Sequence, residues 1–184
     1  MDNRNMVALC DMAMKWKQGV MADLGIRDLP PMLAYQVDGS DDIVAVPNEV
    51  MAAAMNSTKG DTASAIEVVL KMVPDVFPDV TSFRQIMLVA DGYMLESESE
   101  APPEMSLQHD FNTNMDTKVT ECLTITVVED DLVGGCDIRT AQAPYFLDDG
   151  GRIEAKEVIY HPEGVVGGRI PEVMREVFLD ARQG

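Results

Sequence analysis

Val119–Val128 reads VTECLTITVV, and its alternation decides the fold. Val119, Leu123, Ile125 and Val127 fall on one side of an extended chain. Thr120, Cys122, Thr124, Thr126 and Val128 fall on the other. Successive side chains of a strand point to opposite faces. The pattern therefore predicts a half-buried β-strand, with one face in a core and the other near water. Glu121 is the exception, in register with the apolar side.

Working outward, more strands come into view. Gln85–Leu95 (QIMLVADGYML) is apolar on both faces apart from Asp91 and Gly92, as in a strand covered on both sides. A tight connection at Glu129–Asp131 leads to a strand at Leu132–Ala141. The turn residues Asp148–Gly151 (DDGG) lead to another at Ile153–Tyr160. Met32–Val37 and Ile43–Val46 flank DGSDD, whose Gly, Ser and Asp favour a hairpin turn.

Three helices complete the pattern. In Met6–Leu24, the residues Met6, Leu9, Ala13, Trp16, Val20 and Leu24 recur at three- and four-residue steps, which makes one apolar stripe. Asp11, Lys15 and Gln18 take the wet side, Asp2 or Asn3 caps the start, and Gly25 ends the helix. Asp61 caps Thr62–Val73, where Ile66, Val69, Leu70 and Val73 form the buried stripe. Glu67 and Lys71 pair outside it, and Pro74 terminates the helix. Pro171 suits the first position of Glu172–Arg182, whose Val173, Val177, Phe178 and Ala181 face the sheet. Asn48–Met55 carries a short helical turn. The expectation is an α+β fold, a largely antiparallel sheet of five to six strands with three helices packed on it. Residues 1–184 form a single domain with a solvated loop excursion at about 96–117.

Charge is the unusual global feature, with 32 acidic against 14 basic residues and a net value of −18. Such a surface repels nucleic acid and suits a protein partner with a basic surface. Glu96, Glu98, Glu100 and Glu104, in ESESE and APPE, are the candidate contacts. Solubility, a halophilic source and mimicry of nucleic acid account for the acidity as well. No apolar run approaches the ~20 residues of a membrane span. MDNRN is not followed by the apolar segment of a secretory signal. Cys10, Cys122 and Cys136 make no C-x-x-C pair, which disfavours a zinc site or a disulfide framework. A reducing cytoplasm is the expected setting.

The sharpest local motif is Asp110–Glu121, DFNTNMDTKVTE. Asp110, Asn112, Asn114, Asp116 and Glu121 match positions 1, 3, 5, 7 and 12 of a calcium-binding loop. Hard cations such as calcium or magnesium require that kind of oxygen set. Met115 stands where the loop needs glycine, and strand follows where a helix should. The plainer reading is an Asx-rich turn leading into a strand. Asp91 is a second candidate. It either approaches Glu121 across neighbouring strands as an acid/base or metal pair, or turns to water at an Asp91-Gly92 bulge. His109 and His161 stand alone and lack a hydrolase or isopeptidase signature. The glycine pairs at 134–135, 150–151 and 167–168 fit no nucleotide-binding motif.

A helix, a hairpin, a second helix, MLVADGYML and then VTECLTITVVEDD resemble small phage-borne and bacterial proteins with no assigned activity. The resemblance covers about two thirds of the chain in outline, and it implies an origin more than a reaction. The sequence thus points to a non-enzymatic protein-binding or assembly module. The alternative is a divalent-metal-binding protein or metal-assisted hydrolase using Asp91, Asp110, Asp116 and Glu121.

Overall fold

The structure is a computed structural model, and it describes residues 3–25, 30–76, 82–96, 118–131, 133–161 and 168–183. Four helices occur among them: α1 (Asn3–Leu24), α2 (Asn48–Ser57), α3 (Thr62–Val76) and α4 (Arg169–Gln183). The strands are β1 (Met32–Val37), β2 (Ile43–Ala45), β3 (Phe83–Glu96), β4 (Lys118–Asp130), β5 (Cys136–Leu147), β6 (Ile153–Ala155) and β7 (Ile159–His161). They form one sheet in the order β2-β1-β3-β4-β5-β6, with β7 beside β6 along the same edge of β5. Every pairing is antiparallel. The fold is α+β. It has four helices where three were expected, because the stretch read as a helical turn is a full ten-residue helix. Its EVMAAAM run is rich in strong helix formers.

Helices cover both faces of the sheet, which corrects the half-wet reading of β4. On one face Leu33, Tyr35, Ile86, Leu88 and Val128 pack against Met51, Ile66, Leu70, Met174 and Phe178 from α2, α3 and α4. On the other, Met87, Leu123, Ile125, Val127 and Ala143 pack against Met6, Cys10, Ala13 and Met14 of α1. Fully burying each large apolar chain contributes about 1.5–3 kcal/mol. The threonine side of β4 therefore lies under helices, and Thr120 and Thr126 are buried.

Local signals explain most element ends. The Gly25 amide donates to the Met21 carbonyl at 3.0 Å with φ +65, a left-handed stop that glycine adopts without strain. The Asp61 carboxylate accepts from the Ser64 amide at 3.2 Å and pairs with Arg169. These contacts hold its carboxyl below the ordinary range. Helix α3 runs on through Pro74 to Val76. A proline in the last turn removes one late hydrogen bond and does not break the helix body.

Two strands depart from expectation. β5 starts at Cys136, not Leu132. The Asp131 carboxylate accepts the amides of Val133 (2.9 Å) and Gly135 (2.8 Å), and Gly134 takes φ +95, so a turn at 133–135 falls inside the predicted strand. Ile153–Tyr160 divides into β6 and β7. The Pro144 carbonyl accepts from the Lys156 amide at 2.8 Å, so Pro144 faces this edge. Proline has no N–H to return a second bond, and the ladder lapses there.

Candidate functional site

Helix α1 is the only described element packed on its face of the sheet, and it lies over β4, β5 and β6. Six strands span about 24 Å at the usual spacing, whereas a helix is about 10 Å wide. Among the described residues, the β1–β2 end is therefore left open beside α1. The gap is an apolar groove of about 590 Å³, lined by Leu9, Met12 and Trp16 of α1 and by Met32, Ala34, Ile43 and Ala45 of the hairpin. Met12 is 63% exposed and Ile43 58% exposed.

β2 is an edge strand of the sheet. The Val46 amide donates to the Leu33 carbonyl at 2.8 Å, so Val46 and Val44 turn their backbone groups toward β1. By antiparallel alternation, Ile43 and Ala45 turn theirs outward. Their side chains also line the groove. Asp41 and Asp42 precede this strand, Glu49 follows it, and all three are exposed. Arg84 offsets part of that charge, 3.5 Å from Asp41.

A charged seam lies further along the same face. Lys17 of α1 is 1% exposed and forms an ion pair with Asp91 of β3, itself 15% exposed. The Lys17 Nζ sits 4.8 Å from the Tyr145 ring centre. The Tyr145 hydroxyl donates to Asp91 Oδ1 at 3.4 Å. Burial, followed by the Asp91 and Glu121 charges, drives the Tyr145 pKa well above its ordinary value. That phenol keeps its proton at neutral pH, and the lysine is deeply covered. The seam anchors α1 to the sheet.

Asp91 lies within an unbroken register from Gln85↔Glu129 to Glu96↔Lys118. The bulge reading is thereby corrected, since no extra residue turns the side chain outward. Glu121, opposite Tyr93 in that register, acts with Asp91 on Tyr145. The two acids thus converge across strands on Tyr145, and Asp91 is paired with Lys17 as well.

Asp110, Asn112, Asn114 and Asp116 lie outside the described residues, as do His109, Glu98, Glu100 and Glu104. Glu96 is the last residue of β3. Among the described residues, no group of three or more His, Cys, Asp or Glu could hold a metal ion. His161 bonds through Nε2 to Gln142 Oε1 at 2.9 Å. Burial raises the Cys10, Cys122 and Cys136 thiols, Cys10 to about 11, so none of them is primed as a nucleophile.

Sequence reasoning missed Lys17 and the groove. The buried arc of α1 is Met6, Cys10, Ala13, Met14 and Lys17, rotated from the stripe through Leu9, Trp16 and Val20, of which all three are half-buried. Leu9 and Trp16 line the groove instead. Gln18, expected on the wet side, accepts the Ile153 amide at 2.5 Å and ties α1 to β6. Among the described residues, no helix is long and apolar enough to cross a membrane. No family model, curated protein or solved structure matches the chain.

Proposed function

We propose that the chain is a non-enzymatic protein-binding module that takes up an extended, apolar segment of a basic partner protein along β2. The observation that carries this reading is the apolar groove beside a sheet edge whose backbone groups point outward. An open edge pairs readily with an added strand. Strand addition there would satisfy Ile43 and Ala45 and lay alternate side chains over Met12 and Trp16. Asp41, Asp42 and Glu49, within a field of −18, favour lysine or arginine on either side of the incoming apolar residues. A phage origin, implied by the sequence resemblance, suits a small accessory binder of this kind.

The metal-assisted alternative keeps Asp110, Asp116 and Glu121, but Asp91 is already committed to Lys17. The test uses a labelled peptide of alternating valine and threonine flanked by lysines, followed by fluorescence anisotropy. Saturable binding is expected. Ala45→Pro removes an outward N–H from an edge position, where proline is tolerated, and should weaken binding at least tenfold. Glutamate in place of the flanking lysines should weaken it as much. Absent binding, or an affinity unaffected by both changes, overturns the reading.

A further inference from the structure

The face of the sheet away from α1 holds a second cavity, of about 580 Å³, between the strands and the first turn of α4. Its floor is the side of β4 that alternation alone would have left in water. Thr124 and Thr126 of β4, Thr140 and Gln142 of β5, and His161 of β7 line it. Thr126 pairs with Thr140, and Thr140 pairs with His161, so these groups form a row across three strands. Leu88, Ala90, Ile170 and Pro171 make the remainder largely apolar. Apolar walls with a few converging polar groups, at this volume, are the usual build of a small-molecule site.

Among the described residues, the hydroxyls are under-used. Thr126 is 3% exposed and Thr140 7% exposed, and their oxygens lie 3.4 Å apart, with either as donor. Each hydroxyl has one proton and two lone pairs. One shared bond spends one proton and one lone pair, leaving the second proton and most of the acceptor capacity beside the cavity. A buried hydroxyl gains from a partner there.

The lining is balanced in charge. Asp91 borders the cavity, but its carboxylate is engaged by Lys17. Arg169 at the border is held by Asp61 and by Ser64 Oγ at 2.9 Å. An ion entering would lose water without a counter-ion to replace it. Pro171 has no N–H and the Glu172 amide donates to the Gly168 carbonyl at 3.3 Å. In the first turn of α4 the amides of Arg169 and Ile170 are therefore the ones without intrahelical acceptors, and they favour a partial negative charge, as on a carbonyl oxygen.

We propose that this cavity binds a small uncharged amphiphile, with a carbonyl-bearing head on the threonine row and an apolar tail against Leu88 and Ile170. The site is separate from the β2 groove and does not depend on it. Calorimetric titration with octanamide, octanoate and octylamine tests the proposal. Octanamide should bind saturably, and the two ions at least tenfold more weakly. Replacing both hydroxyls by methyls of the same shape, in Thr126→Val with Thr140→Val, preserves packing and should weaken octanamide at least tenfold. Ala90→Leu, which fills the cavity from β3, should do the same without altering the threonines. Three results would overturn the proposal: no saturable octanamide binding, equal affinity for the three head groups, or binding that survives both the valine pair and Ala90→Leu.

Discussion

A lysine with 1% of its side chain exposed survives folding only if its charge is met, and Asp91 meets it across 74 positions of sequence. Removing one partner of a buried pair leaves the other charge stranded, at a cost of about 3–5 kcal/mol. Because Asp91 keeps some exposure, Lys17→Met should fall at the lower end, about 3 kcal/mol in urea unfolding. Asp91→Asn alone should also destabilise. The Lys17→Met/Asp91→Asn double variant should lose less than the two single losses added, with a coupling of about 2 kcal/mol. Strict additivity would show that the pair is not coupled. Asp91 was marked in the sequence as a carboxylate in an apolar strand, which needs either a partner or a turn to water; the pattern did not decide between the two. Lys17 was not marked, since a lysine at the margin of an apolar stripe ordinarily carries its amine out to water. Spacing carries no trace of a contact so distant in the chain.

At the scale of the element, two glycines of one helix should respond in opposite directions. Gly19 lies inside α1, and a Cβ added there meets nothing within 4 Å. Gly19→Ala should therefore stabilise by about 0.5–1 kcal/mol, through lower backbone entropy in the unfolded chain and better helix propensity. Gly25 has equal space but a φ of +65, so Gly25→Ala should destabilise by about 1 kcal/mol. Melting followed by circular dichroism distinguishes the two, and a gain at both positions would refute the conformational argument for Gly25. Element identity was well marked in the sequence: Gly25 as a stop, Asp61 as a cap, and DGSDD and DDGG as turns. What failed were properties set by neighbours. Pro144 interrupts a ladder on the next strand, which reading Ile153–Tyr160 by itself could not reveal. The threonines of β4 looked wet because alternation reports polarity, whereas their cover comes from helices far away in the chain. Met12 and Ile43 were visible as apolar residues. Only the limited width of α1 over a broad sheet leaves them beside an open edge.

For the whole molecule, the excess of 32 acidic over 14 basic residues must work against compaction. A folded chain of 184 residues has a radius of gyration of about 16 Å. At about 0.01 M salt the screening length is roughly 30 Å, so each carboxylate feels all the others. At about 1 M it is roughly 3 Å, and only immediate neighbours interact. Exposed ion pairs such as Glu67–Lys71 at 2.7 Å weaken over the same range but contribute little. The Lys17–Asp91 pair is shielded by burial and should hardly respond. Repulsion is then the term that salt removes, and the melting temperature should rise by several degrees between about 10 mM and 300 mM sodium chloride, then level off. A continued climb into molar potassium chloride would mark the acidity as adaptation to a salt-rich cell. A flat response would mean that the acids are spaced too far apart to oppose folding. The plateau alone leaves the negative field available for partners, and it makes a direct link with the β2 groove: salt that stabilises the fold should weaken a lysine-flanked peptide over the same concentrations.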